Sequence, residues 1–188
     1  KPLVSWIALG SNRGGHEGTS PLSSILNMAS ARSDRCILVA GGNEANQGHH
    51  FYGNLMQGQA YQEVELRVAE EEYGLTMELW GTTPDLLSIS MISPAGEEIP
   101  RISSSLGNRQ YDFLFERTVV YIDFQSLDPS SGDEMIRIRM FAPSAGIWRL
   151  RVYGTSVIHG IYNIWLPVTG FISPGTVFPD SNPDITLT

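Results

Sequence analysis

The residues with most to offer a reaction lie between Cys36 and Asn46, in the run Cys-Ile-Leu-Val-Ala-Gly-Gly-Asn-Glu-Ala-Asn. Ile37 to Ala40 are an unbroken apolar stretch leading straight into Gly41, Gly42 and Asn43. Such a stretch, bounded by turn residues, predicts a strand buried on both faces. Two glycines let the backbone turn tightly and approach a ligand closely. Asn43 then offers a side-chain amide at the strand's carboxyl end, where α/β sheets keep their ligands. A carboxamide held there can donate a hydrogen bond to an oxyanion forming on an acyl carbon. Asn is also an ordinary turn residue, so this spacing alone leaves both roles open.

The remaining reactive types point to structure. His49 and His50 could serve as metal ligands or a base, but the only other histidines are His16 and His159, with no carboxylate suitably spaced. Their expected task is to hold the loop after Asn43 by hydrogen bonds, and His16 is expected to hold its own loop. Gly41-Gly42 is no phosphate cradle, because neither a Lys-Ser/Thr pair nor a G-x-G-x-x-G accompanies it. Glu70-Glu71-Glu72 is most simply a solvated turn, and no calcium-loop spacing is present. No metal and no cofactor is therefore expected. Cys36, inside the apolar run, is expected to be a small buried hydrophobe. Trp80, Trp148, Trp165 and Tyr111, Tyr121, Tyr153 and Tyr162 could form a sugar platform, but their alternating positions favour core packing.

Elements must position these groups. Leu3 to Leu9 predicts a buried parallel strand, and Gly10 to Gly18, with glycines at 10, 14, 15 and 18, predicts a loop. Thr19 or Ser20 can cap a helix that admits Pro21 in its first turn. Leu22, Ile25, Leu26 and Ala29 recur at helical spacing, which predicts an amphipathic helix over 21–33. Strand, helix and strand together make a right-handed crossover.

From Phe51 the period changes to two. Val64/Leu66/Val68, Leu75/Met77/Leu79, Leu87/Ile89/Met91, Phe113/Phe115, Val120/Ile122/Phe124, Ile136/Ile138/Met140 and Trp148/Leu150/Val152 alternate with polar neighbours, and Ile161 to Leu166 closes the series. About eight or nine short strands punctuated by turns predict an antiparallel β-sandwich or jelly roll. Beyond Pro167 come Gly170-Phe171, Pro174-Gly175, Pro179-Asp180 and Asn182-Pro183-Asp184, the composition of an irregular connector.

The chain has 188 residues, with 12 basic and 20 acidic side chains and a net charge of −8. That balance argues against nucleic acid or an anionic membrane surface as a partner. No apolar run approaches the roughly 18 residues of a membrane span, and no charged-then-apolar signal pattern opens the sequence. It begins Lys-Pro and stops at Ile185-Thr186-Leu187-Thr188, which reads as mid-strand, so a piece of a longer protein is expected.

Val39-Ala40-Gly41-Gly42-Asn43-Glu44-Ala45 resembles the A-A-G-N-E-G motif of subtilisin-like serine proteases, whose Asn is the oxyanion donor. Trp6-Ile7-Ala8-Leu9-Gly10 is similar to that family's I-S-L-G strand end, which lines the specificity pocket and a substrate-binding edge. The likeness covers residues 3 to about 54 and, more loosely, 165–188, and is greatest to clostridial subtilases carrying a β-sandwich insertion. Gly42 and Ala45 stand where Ala and Gly are commoner, and Ala8 where Ser is. Gly18-Thr19-Ser20-Pro21 mimics the family's nucleophile motif, but lacks its Ala and precedes the oxyanion strand, so Ser20 is expected to be a cap.

The resemblance implies a mainly β chain: an antiparallel jelly-roll sandwich (56–167) inserted into a subtilase α/β core fragment (1–55), with a connector returning to that core (168–188). It implies an oxyanion role for Asn43 and substrate contacts for Ala8, Leu9, Gly10, Gly41 and Gly42. The implied partners are a peptide or protein substrate and the rest of the protease domain or a propeptide. The Asp, His and Ser of a triad would lie outside the chain, leaving it inactive alone. A non-catalytic β-sandwich binding module, for carbohydrate or protein, and part of a pseudoprotease are the alternatives.

Overall fold

The computed structural model describes residues 1–103 and 107–180. The strand-like end at 185–188 and the Asn182-Pro183-Asp184 turn lie outside the described residues.

The first element, β1 (Leu3–Ile7), runs parallel to β2 (Arg35–Val39), with Leu3 opposite Arg35 and Ile7 opposite Val39. Between them, α1 (Pro21–Ser30) starts on the Ser20 side chain, whose Oγ accepts the Ser23 N–H at 3.2 Å while Pro21 occupies the first turn. Ser20 is thus a helix cap. The helix stops three residues short of the expected Ser33. There Arg35 N–H turns back onto Arg32 O, and Leu3 N–H takes Asp34 O, which draws the chain into β2.

The expectation of strands buried on both faces fails here. Ser5, Ile7 and Ile37 are half-covered, as are Leu26 and Ala29 on α1, which packs against β2. On the opposite face Val4 and Trp6 stand beside their register partners Cys36 and Leu38, all exposed, with Trp6 at 77%. Burial on both faces needs a second layer, and among the described residues none covers this side. Cys36 is accordingly an exposed thiol rather than a buried one.

The rest is mainly β. Ten strands form two antiparallel sheets. β3 (His50–Asn54), β5 (Gly74–Gly81), β8 (Arg109–Phe113), β9 (Thr118–Gln125), β10 (Glu134–Phe141) and β12 (Ile161–Trp165) make one, in the order β3-β12-β5-β10-β9-β8. β4 (Gln62–Val68), β6 (Leu86–Ile92), β7 (Glu98–Ser103) and β11 (Gly146–Ser156) make the other, ordered β4-β11-β6-β7. The inward members of each alternation, such as Val64, Leu66, Met77, Leu79, Ile89 and Ile138, share one buried cluster between the sheets. Phe113 of one sheet meets Trp148 of the other edge-on, with ring centroids 4.9 Å apart. Trp148 and Tyr162 are wholly buried, which removes them from any sugar platform.

Two strands escape the alternation rule. β3 pairs with β12 at a sheet edge, and its Gly53 sits beneath the Tyr162 ring, where any Cβ would collide. Residues 50–54 therefore belong to the two-sheet body. β7 carries Pro100, which an edge strand tolerates. Phe115 is no strand residue; it lies exposed in the turn between β8 and β9, where Arg117 takes φ 55°. Beyond Pro167 the chain stays bound to the body. Val177 bridges to Arg67, Thr176 Oγ1 accepts from Ala69 N–H at 3.0 Å, and Ile172 and Phe178 enter the core.

Candidate functional site

Parallel pairing sets the carboxyl ends of β1 and β2 side by side. Ala40 N–H extends the pairing by donating to Ile7 O at 3.0 Å, and both chains then diverge into loops. Gly42, at φ 84°, takes a left-handed conformation that a side chain would strain. The divergence opens a cleft of about 280 Å³. Ala8, Leu9 and Gly10 line one side of it, and Gly41, Gly42 and Asn43 another. All six residues singled out by sequence thus meet in one place. Asn43 is exposed, and no hydrogen bond occupies its carboxamide among the described residues. A carboxamide without an intramolecular partner, at the carboxyl end of a parallel sheet, is available to donate to a ligand in this cleft.

Sequence reasoning did not find the third wall, Val168 and Thr169, which follow the two-sheet body. It also gave Glu44 no part. Glu44 Oε2 accepts three hydrogen bonds: from His49 Nδ1–H at 2.6 Å, and from Thr169 N–H and Oγ1–H at 3.1 Å each. The carboxylate is 11% exposed and His49 7%. His49 is fixed in turn, since Leu166 N–H donates to its carbonyl at 2.8 Å. The loop-holding task expected of the histidine pair therefore falls to His49. His50 lies in β3 instead.

The opposite loop is fastened as well. Asn12 Nδ2 donates to Leu166 O at 3.1 Å, and Gly14 N–H to Glu78 Oε2 at 2.9 Å. His16 stacks on Trp165 with centroids 4.0 Å apart, and His50 stacks on the same indole at 3.8 Å. Burial lowers the pKa of both imidazoles, outweighing the hydrogen bonds to Asn12 O and Asn163 Oδ1 that raise it. Uncharged rings suit a stack in which two cations would face one another across an indole. Glu78, buried beneath the loop, is paired with Arg137 at 3.2 Å. No cluster of three metal-ligating side chains occurs among the described residues.

The solved structure of the Clostridium perfringens CspB protease superposes on 97% of this chain with a TM-score of 0.86 at 25% sequence identity. The chain is similar to a subtilisin-like protease. It spans 38% of that protein's length. No protein-family model and no curated protein matches the sequence. The match supports a protease-related fold for this chain.

Proposed function

We propose that this chain is an internal segment of a subtilisin-like serine endopeptidase and supplies the oxyanion donor, Asn43, and part of the wall that binds the peptide. The observation that carries this reading is the cleft where Ala8, Leu9 and Gly10 face Gly41, Gly42 and a free Asn43 carboxamide. A serine outside these residues, activated by a His and an Asp also outside them, attacks the scissile carbonyl. As the carbonyl carbon becomes tetrahedral, its oxygen gains charge, and Asn43 Nδ2–H donates to it. That bond strengthens toward the transition state and so lowers the barrier rather than only binding substrate. The exposed backbone at Leu9 and Gly10 offers an edge along which an extended peptide can pair as an added strand.

The bare apolar surfaces support the same reading. Val4, Trp6 and Leu38 on the sheet, and Leu22, Ile25 and Met28 on the helix, are faces that the remaining protease core or a propeptide would cover. On this reading the catalytic Ser, His and Asp belong to that remainder, and the segment alone is expected to be inactive.

The test is Asn43→Ala in the full-length protein, assayed on a peptide anilide. Loss of one oxyanion donor costs about 10²–10³ in kcat, with KM little changed. A kcat within twofold of wild type would refute the assignment of Asn43. A full-length protein without any hydrolytic activity would refute the protease reading.

A further inference from the structure

The geometry points to Glu44 as a positioning residue that ties the oxyanion loop to the exit of the two-sheet body, making that body part of the catalytic scaffold. The role rests on the proposed protease reading. Glu44 is adjacent to Asn43 in the chain and lines the same cleft, yet its side chain is nearly nine-tenths covered. One of its oxygens receives three donors from two different segments, His49 before β3 and Thr169 after β12. Both segments are anchored to the body. His49 O accepts from Leu166 N–H, and Gly48 O accepts from Phe178 N–H, each at 2.8 Å. Phe178 is itself a core residue.

The loop otherwise has little to hold it. Gly41, Gly42, Asn43, Ala45 and Asn46 are all exposed, and Gln47 N–H to Glu44 O is its one internal backbone bond between residues 40 and 48. Two glycines permit many conformations. A carboxylate bound to three fixed donors removes that freedom one residue from the donor amide. Preorganisation of this kind matters because an oxyanion donor works only at the position where charge will appear. Thr169 serves twice, since it also lines the cleft beside Val168. Asn12, bound to Leu166 O, brings the facing loop to the same anchor.

The experiment is a double-mutant cycle in the full-length protein. Glu44→Ala should lower kcat on the order of 10- to 100-fold at nearly constant KM, because a misplaced donor loses transition-state contact rather than substrate binding. Glu44→Gln, which keeps an acceptor for Thr169, should recover most of it. On the Asn43→Ala background, Glu44→Ala should cost almost nothing further, since there is no donor left to misplace. Losses that multiply, or a kcat unmoved by Glu44→Ala, overturn the role. Should Glu44→Ala fail to fold, Thr169→Val removes one of the three donors, and it should lower kcat a few-fold in wild type but not on the Asn43→Ala background; no change in either overturns the proposal. Failure of the protease reading is read separately, in the wild-type and Asn43→Ala rates. In that event ¹⁵N relaxation across 41–45 in the 188-residue chain decides for Glu44. Fast motion must rise in Glu44→Ala, and unchanged order sinks the latch.

Discussion

The crossover unit and the two-sheet body use similar apolar residues to opposite effect. In the body, the inward members of most alternations find the facing sheet, and Leu79, Ile89, Val120, Ile122 and Ile138 are sealed from water. In the crossover, Val4, Trp6, Ile25, Met28 and Leu38 are also large and apolar, but no layer among the described residues faces them. The body closes its own core, whereas the crossover has one helix for two strands and leaves a sheet face and a helix face bare. Stability is thus expected to reside in the body. The crossover keeps its place through loops: Asn12, Gly14, His16 and Glu44 all bond or stack onto the body. These fastenings lie at the carboxyl ends of β1 and β2, the end that carries the cleft.

The largest stability effect should come from the contact that joins the two sheets. Trp148 is fully buried against Phe113, and its Nε1–H donates to Ser144 O at 2.9 Å. Trp148→Ala removes that area and leaves a cavity and an orphaned carbonyl, at a cost of about 3–5 kcal/mol. Urea unfolding of the chain measures it. A loss under about 1 kcal/mol would mean that the sheets are not the cooperative unit, and the contrast with the crossover would fall.

A second effect depends on pH. Glu134 opens β10 with 1% of its surface exposed; its Oε2 accepts Leu87 N–H at 2.7 Å, while Oε1 has no partner among the described residues. Burial, helped by the charge of Asp85, raises its pKa from 4.5 to about 7 against the opposing Leu87 bond. A raised carboxyl pKa favours the protonated form in the native state. Its stabilising contribution is complete below pH 4.5, falls as pH rises, and is gone above about 7, a loss of about 3 kcal/mol. Glu134→Gln keeps an acceptor for Leu87 without the charge. Its stability relative to wild type should widen by up to that amount between pH 4.5 and 7, in parallel urea titrations. Parallel curves would show that Glu134 stays ionised in the fold.

How much was legible follows from what each signal measures. Alternation reports a surface half-buried by a neighbouring layer, so β4, β5, β6, β9, β10 and β11 stood out. β3 and β7 did not, because Gly53 in His50-Phe51-Tyr52-Gly53-Asn54 and Pro100 in Glu98–Ser103 interrupt the apolar alternation. The apolar run at Ile37 to Ala40 gave a strand correctly and its burial wrongly, since burial belongs to the neighbours and not to the run. At the cleft, the Gly-Gly-Asn turn was visible because its chemistry is local. Thr169 was not, since it meets Glu44 from 125 positions away and no pattern in either segment announces the meeting. Glu44 stood inside the recognised run and drew no notice, because an acidic residue after a turn ordinarily faces water.

The smallest effect separates the two regions most cleanly. Trp6 is the largest side chain on the crossover's bare face, and its register partner Leu38 is bare beside it. In the 188-residue chain, Trp6→Ser removes little buried area, and unfolding should shift by no more than about 0.5 kcal/mol, the ordinary range for a surface substitution. The same substitution in the full-length protein meets a different environment if the rest of a protease core covers that face. The indole is then interior, and truncating it costs about 3–5 kcal/mol, as for Trp148. The two measurements turn on one variable, the presence of the missing layer. Equal small shifts in both would mean that nothing covers Trp6, and the crossover would then be a surface appendage instead of the edge of a larger α/β core.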